Sequence, residues 1–239
     1  MSANSDTEVL VIFDIDGTLV DSVRLHQDAL THAVKNSRLL SYRNTNWSDY
    51  ANHTDSGVFW EAFEKGAGRP PTETESQEFE NQFQERYAEL SKGMALREID
   101  GASAILQAIA KRPEVSIAFA TGSYRAAAEH KLKCIGVISD PSAPLITASE
   151  FRTRQEIVSA AAGYKRTGKV ISVGDGPWDV RTAFELNIPF VGIGSSDRAQ
   201  LLMRLGASCV LANYLDHALV FKALLGSGPH ASRFPRGSF

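Results

Sequence analysis

Three polar clusters in this chain each follow a run of residues that reads as a strand. The first is Asp14-Ile15-Asp16-Gly17-Thr18, after the apolar run ending at Phe13. Two carboxylates one residue apart repel each other, so the pair makes physical sense where a cation or phosphate chemistry uses it. Gly17 lets the backbone turn sharply, and Thr18 adds a hydroxyl. The second cluster is Thr121-Gly122-Ser123, after Val115–Ala120. The third is Gly174-Asp175-Gly176-Pro177-Trp178-Asp179, after Lys169–Val173. Alone, each has an ordinary explanation: a helix cap, a loop carboxylate, a first-turn aspartate in a helix dipole. If the strands are parallel, all three ends lie on one edge, where open α/β sheets bind ligands.

The elements that would position these clusters follow from periodicity. Residues 8–14 are a short β-branched run, expected as a strand buried on both faces. From Ser22 to Gly93 no strand-like run occurs. Val23, His26, Leu30, Ala33 and Val34 share a helix face that Asp21 or Ser22 can cap. A second helix is expected near 57–65, followed by a break at Gly66–Pro71. A third carries Phe79, Phe83, Tyr87 and Leu90 on one stripe, with Thr72 or Thr74 as its cap. From Gly101 onward helices alternate with strands: strands at 115–120, 169–173, 188–193 and 208–211, a strand end at 136–138, and a loop or short strand at 145–146. Helices are expected at about 123–133, 154–162, 177–186, 199–205 and 213–225. That alternation implies an α/β fold with a doubly wound parallel sheet. The all-helical stretch, about 20–93, reads as a second, smaller domain inserted after strand one. The core then comprises 8–19 and 94–225, and the Gly-, Ser- and Pro-rich tail 226–239 is expected to be poorly ordered.

Composition narrows the class. The chain has 239 residues, 43% hydrophobic and 22% charged, and a formal net charge of −3. Such a balance gives no reason to expect nucleic acid or an anionic membrane as partner. Cys134 and Cys209 are the only cysteines, which suits a reducing, cytoplasmic setting. No secretory signal and no membrane span is read from the sequence.

Asp14-x-Asp16-Gly17-Thr18-Leu19-Val20-Asp21-Ser22 resembles the first signature of the haloacid dehalogenase superfamily, in its phosphatase branch. The second strand ending in Thr121 resembles the second signature, and Gly174-Asp175-x-x-x-Asp179 resembles the fourth. The third is usually a lysine at a helix start. Here the matching string is Arg152-Thr153-Arg154-Gln155-Glu156-Ile157, so Arg152 stands where lysine is expected, with Arg154 as the competing candidate. The helical insertion resembles the superfamily's cap domain, over a Rossmann-like core. Asp21-Ser22-x-x-Leu25-His26 resembles the start of the cap in sugar-phosphate members, which makes His26 a cap residue of interest, along with Asp55 in the Asn52-His53-Thr54-Asp55 loop.

The resemblance implies a Mg²⁺-dependent phosphatase for a small phosphorylated metabolite. Asp14 would be the nucleophile and form an aspartyl-phosphate. Asp16 would give a proton to the leaving alcohol and later take one from water. Mg²⁺ would be bound by Asp14, the backbone carbonyl of Asp16 and Asp175, with Asp179, through waters, and Thr18 as outer support. Thr121, Gly122 and Arg152 would grip the phosphoryl oxygens. A dehalogenase is disfavoured, because members with that activity lack the second aspartate of the first signature. A phosphomutase of the β-phosphoglucomutase type shares the same core signatures and is the enzymatic alternative. A non-catalytic phosphate-binding regulatory protein is the alternative from another class. Phosphoglycolate, sugar phosphates and nucleotides all remain open as substrates, as does oligomeric state.

Overall fold

The computed structural model describes residues 9–137, 143–164 and 168–226. Its centre is β1 (Val9–Phe13), every residue of which is buried. Val9, Val11 and Phe13 face one apolar layer, and Leu10 and Ile12 face another. This two-sided burial is what an unbroken apolar strand requires.

Around β1 lie β2 (Val115–Ala120), β3 (Leu145–Ile146), β4 (Lys169–Gly174), β5 (Phe190–Ile193) and β6 (Cys209–Leu211). The order is β3-β2-β1-β4-β5-β6, and every pairing is parallel. Val11 is level with Ile117 on one side and Ile171 on the other. From β1 the chain builds outward through β2 and β3, then returns beside β1 with β4 and builds the opposite way. The gap beyond the ends of β1 and β4 is therefore the topological switch point, where a sheet of this kind opens a crevice.

The sheet is flanked by α4 (Ala102–Ala110), α5 (Arg125–Cys134), α6 (Arg154–Gly163), α7 (Pro177–Glu185), α8 (Ser196–Arg204) and α9 (His217–Leu225). Before them come α1 (Val23–Asn36), α2 (Asp55–Ala67) and α3 (Glu73–Ser91). Those three helices share a separate apolar cluster that includes Leu30, Val34, Phe59, Phe63, Phe79 and Phe83. Phe59 and Phe79 stack with centroids 4.4 Å apart. Tyr124, Ala127 and Ala148 of the sheet region join the same cluster, so the helical insertion rests on α5 and the loop after β3.

Some boundaries differ from expectation. α2 begins at Asp55, because Thr54 caps it by accepting from Gly57 N. Ser22 is at the N-cap position of α1 but caps nothing; its hydroxyl turns to Asp16. α5 begins at Arg125 rather than 123, since Ser123 also directs its hydroxyl at Asp16. Gly136 and Val137 form a turn closing α5 rather than a strand end, and Ile138 falls outside the described residues, as do residues 1–8 and the tail from 227. Among the described residues no helix is long and apolar enough to cross a membrane, and both cysteines are free.

Candidate active site

Asp14 directly follows β1 and is 5% exposed. Its Oδ2 accepts from Thr18 Oγ1 at 3.3 Å. The chain turns away at Gly17, with φ +76°. A Cβ there would collide with the Asp175 carboxylate, so glycine is required both for the left-handed backbone and for the close approach of the two loops.

The end of β4 supplies Asp175, and the first turn of α7 supplies Asp179. Pro177 starts that helix, and Asp179 Oδ2 accepts from Gly176 N at 2.9 Å, which fixes its direction. Asp175 is paired with the half-exposed Arg198 of α8. The carboxylates of Asp14, Asp175 and Asp179 each offer an oxygen within 4.8 Å of the others, and all three are buried. Burial raises Asp14 well above the ordinary range, and repulsion from Asp179, Asp175 and Asp16 adds to it against the pull of Arg154. Asp175 is pushed up to about 7 by burial and by Asp179. Asp179 is raised as well, mainly by burial, with Arg154 opposing. The repulsion among these hard oxygen donors, offset only in part by Arg154 and Arg198, is what a divalent cation such as Mg²⁺ would neutralise, so the residues fit that ion. The Asp16 carboxylate is not in this group.

The expectation for Arg152 is corrected by the structure. Arg154 Nη1 donates to Asp14 Oδ1 at 3.0 Å and to Asp179 Oδ1 at 2.7 Å, with the side chain 12% exposed. Arg152 is exposed, and its guanidinium carbon lies 4.4 Å from the centre of the Trp60 ring. The reason is where α6 starts. Thr153 is its N-cap, in a reciprocal capping box with Glu156, so Arg154 is the first helical residue and points at the sheet edge. Arg152 lies outside the helix, where its carbonyl accepts from Thr54 Oγ1.

Asp16 occupies a different environment, in which Lys131 is the residue the motifs did not single out. Oδ1 accepts from Ser22 Oγ at 2.6 Å and Lys131 Nζ at 2.7 Å; Oδ2 accepts from Ser123 Oγ at 2.6 Å and from the same Nζ at 2.8 Å. Burial would raise the Asp16 carboxyl, but the Lys131 charge and the hydrogen bonds from Lys131 and Ser123 hold it well below the usual range. Lys131 Nζ also reaches His26 Nδ1 at 3.0 Å. Since an ammonium only donates, His26 Nδ1 must accept and Nε2 carries the proton. Nε2 then donates to Asp55 Oδ1 at 2.8 Å, and Asp55 Oδ2 accepts from Tyr124 N at 2.9 Å. His26 and Asp55 are thus brought to the site as one chain of contacts. A sequence signal for Lys131 existed: it falls four residues after Ala127 and three after Ala128, on the buried face of α5.

Thr121 and Gly122 complete the edge. Thr121 Oγ1 accepts from Ser123 N at 3.2 Å, and Gly122 O accepts from Asp55 N at 2.8 Å. A Cβ on Gly122 would come within 2.8 Å of His53 O, so this glycine lets the helical insertion close against β2. Between the two units lies a cavity of ≈ 260 Å³, reached by Asp16, Ser123 and Arg154 and walled by Val23, Leu30, Trp47, Val58 and Trp178. His53 stacks on Trp178 at 5.1 Å.

Residues 11–193 match the family described as "Haloacid dehalogenase-like hydrolase". No curated protein matches the sequence. Among solved structures, a hydrolase from Pseudomonas syringae is 22% identical with a TM-score of 0.65, covering 87% of this chain and 95% of its own. A predicted phosphoglycolate phosphatase from Haemophilus somnus is 19% identical with a TM-score of 0.59, covering 90% and 98%. CbbY from Rhodobacter sphaeroides, in complex with phosphate, is 16% identical with a TM-score of 0.62, covering 87% and 95%.

Proposed function

Because the chain belongs to the haloacid dehalogenase-like hydrolase family, we propose that it is a Mg²⁺-dependent phosphatase acting on a small phosphomonoester. The observation that carries this reading is the division of labour between two carboxylates. Asp14 lies among acids, with Arg154 beside it, whereas Asp16 is held apart by Lys131 and two serine hydroxyls.

Asp14 and Asp175, with the carbonyl of Asp16, would hold the metal, and Asp179 would support them. Bound there, Mg²⁺ supplies charge neutralisation between the nucleophile and the phosphoryl oxygens. Asp14 attacks phosphorus and forms an aspartyl-phosphate, which water then hydrolyses. Arg154 takes the role expected of a third-signature cation: it aligns Asp14 and offsets charge on the phosphoryl group. Thr121 and Gly122 line the seat of the remaining phosphoryl oxygens. Asp16 serves the leaving oxygen and then the attacking water.

Residues from about 20 to 93 act as a cap, and the cavity beneath them receives the leaving group. Its walls are largely apolar; of its polar side chains, His26, Asp55, Thr54 and Ser123 are already engaged with one another or with neighbours, while Gln27 and His53 also line it and Trp178 Nε1 has no hydrogen-bond partner. That favours a compact leaving group with apolar surface. Arg154 is the one arginine or lysine among the described lining residues, which gives a second phosphate little to bind. This weighs against a mutase of the β-phosphoglucomutase type. The two free cysteines suit a reducing cytoplasm.

The test is release of inorganic phosphate from a panel of phosphomonoesters with Mg²⁺, with product analysis for retained sugar phosphate. Release from at least one ester, abolished by chelator, supports the reading. Phosphate retained on an isomerised sugar would replace it with a mutase.

A further inference from the structure

We propose that Lys131 is a positioning residue for proton transfer at the leaving group, aiming the Asp16 carboxyl by holding both of its oxygens. The proposal rests on the phosphatase reading and adds to it a residue outside all four signatures.

The geometry of Lys131 is unusual for a lysine. Its side chain is 0% exposed, whereas lysine is almost never fully buried unless paired. Its ammonium has three protons and four acceptors: both Asp16 oxygens, Ser123 Oγ at 2.8 Å and His26 Nδ1 at 3.0 Å. The Tyr87 ring closes the remaining side, 5.5 Å from Nζ to centroid. A buried ion pair is a weak device for stability, since an apolar side chain of similar volume commonly does as well. What this arrangement does achieve is direction. With Ser22 on one oxygen and Ser123 on the other, Lys131 straddles the carboxylate and fixes its rotation about the Cβ–Cγ bond. Asp16 keeps 16% of its side chain exposed and lines the cavity beneath the helical insertion, whereas Lys131 does not. Lys131 thus acts through Asp16 and stays out of reach of the substrate. Its second attachment, through His26 to Asp55 and Tyr124 N, ties that aim to helices α1 and α2.

Misplacing a catalytic group by about 1 Å costs roughly 10²-fold in rate. The loss falls only on steps that use the group, and leaving-group chemistry separates those steps. A nitrophenolate departs without a proton, while an alkoxide needs one, which Asp16 takes from the Lys131 ammonium bonded to both its oxygens and passes on. The parameter to compare is kcat/KM, which reports the reaction up to leaving-group departure, before water enters.

The experiment compares wild type, Lys131→Met and Ser123→Ala on 4-nitrophenyl phosphate and on an alkyl phosphate such as 2-phenylethyl phosphate, with melting curves for each protein. Lys131→Met is expected to lose about 10²-fold or more in kcat/KM on the alkyl ester and less than about fivefold on the aryl ester. Ser123→Ala keeps the ion pair and is expected to show the same bias with a smaller loss; it decides the matter should Lys131→Met not fold. Equal losses on both esters in the folded variants, or a faster alkyl reaction, would overturn the proposal while leaving the phosphatase reading intact. No phosphate release from either ester by wild type would overturn the phosphatase reading itself, and this proposal with it.

Discussion

Arg154 Nη1 and Asp14 Oδ1 are 3.0 Å apart, although 140 positions separate the two residues in the chain. The contact joins the first turn of α6 to the end of β1 and places a fixed positive charge against the proposed nucleophile. Since guanidinium does not deprotonate in proteins, that charge persists at every working pH, and pairing with Asp179 and Asp14 makes it still harder to remove.

Arg154→Ala is therefore expected to lower kcat/KM by on the order of a hundredfold or more. Arg152→Ala, which removes only a stack on Trp60, is expected to stay within about threefold of wild type. Arg154→Lys should retain a measurable part of the activity, because charge survives while the fixed planar geometry that sets one nitrogen, Nη1, between Asp14 and Asp179 is lost. Steady-state kinetics on one good ester decides the case; a damaging Arg152→Ala beside a mild Arg154→Ala would return the role to Arg152.

Asp14→Asn is expected to fold and to lose more than about 10³-fold in kcat, since an amide is a poor nucleophile at phosphorus. The metal-free variant should melt no lower than wild type, because the substitution removes one of three mutually repelling buried acids. Intact-mass measurement after rapid acid quench would show a phosphate adduct on wild type and none on the variant. Near-normal turnover by Asp14→Asn would exclude Asp14 as nucleophile.

The acid cluster also sets a pH dependence. Asp175 titrates at about 7 in the fold against 3.8 for an ordinary aspartate. A raised value means that its contribution to stability is present below 3.8 and is lost as pH climbs through 7. Asp14 shifts in the same direction. The proposed Mg²⁺ binding would need both acids ionised and would relieve their repulsion. The rise in Tm on adding Mg²⁺ should therefore be larger at pH 8 than at pH 5.5, with proton release on binding at the lower pH. Thermal melts with and without chelator check this, and an equal or larger Mg²⁺ effect at pH 5.5 would contradict it.

Gly17→Ala is expected to disable the enzyme through backbone alone. The residue has φ +76°, and the added Cβ would run into the Asp175 carboxylate. A loss of about 1–3 kcal/mol in stability is reasonable for strain at such a position, or several degrees in Tm. Activity should fall much further, because the clash displaces a proposed metal ligand. A Gly17→Ala enzyme with normal kcat and Mg²⁺ affinity would show that this loop has room to spare.

The strand-one run and the helix–strand alternation after Gly101 were legible because burial on both faces demands a continuous apolar strand, and helices demand a 3.6-residue stripe. The strand ends carrying Asp14, Thr121 and Asp175 followed from those patterns, as did the helical insertion with its Phe79–Phe83–Tyr87 stripe. What local pattern could not decide was the start of α6. Arg152 and Arg154 both lie beside a helix start, and only the capping box of Thr153 with Glu156, seen against the position of β1, shows which one reaches Asp14.

Sequence alone thus determined the parallel sheet, the edge on which the polar residues meet, and the identities of the acids there, because these depend on hydrophobic period and on residue type. Tertiary structure decided the pairings. Lys131 reads in sequence as one charge on α5, yet it meets Asp16 across 115 positions; His26 meets Asp55, and Arg198 meets Asp175, by the same kind of long-range approach. Such contacts depend on how separate elements pack, on directions and distances a few ångströms in extent, and periodicity along a chain holds no information at that scale about residues on different elements.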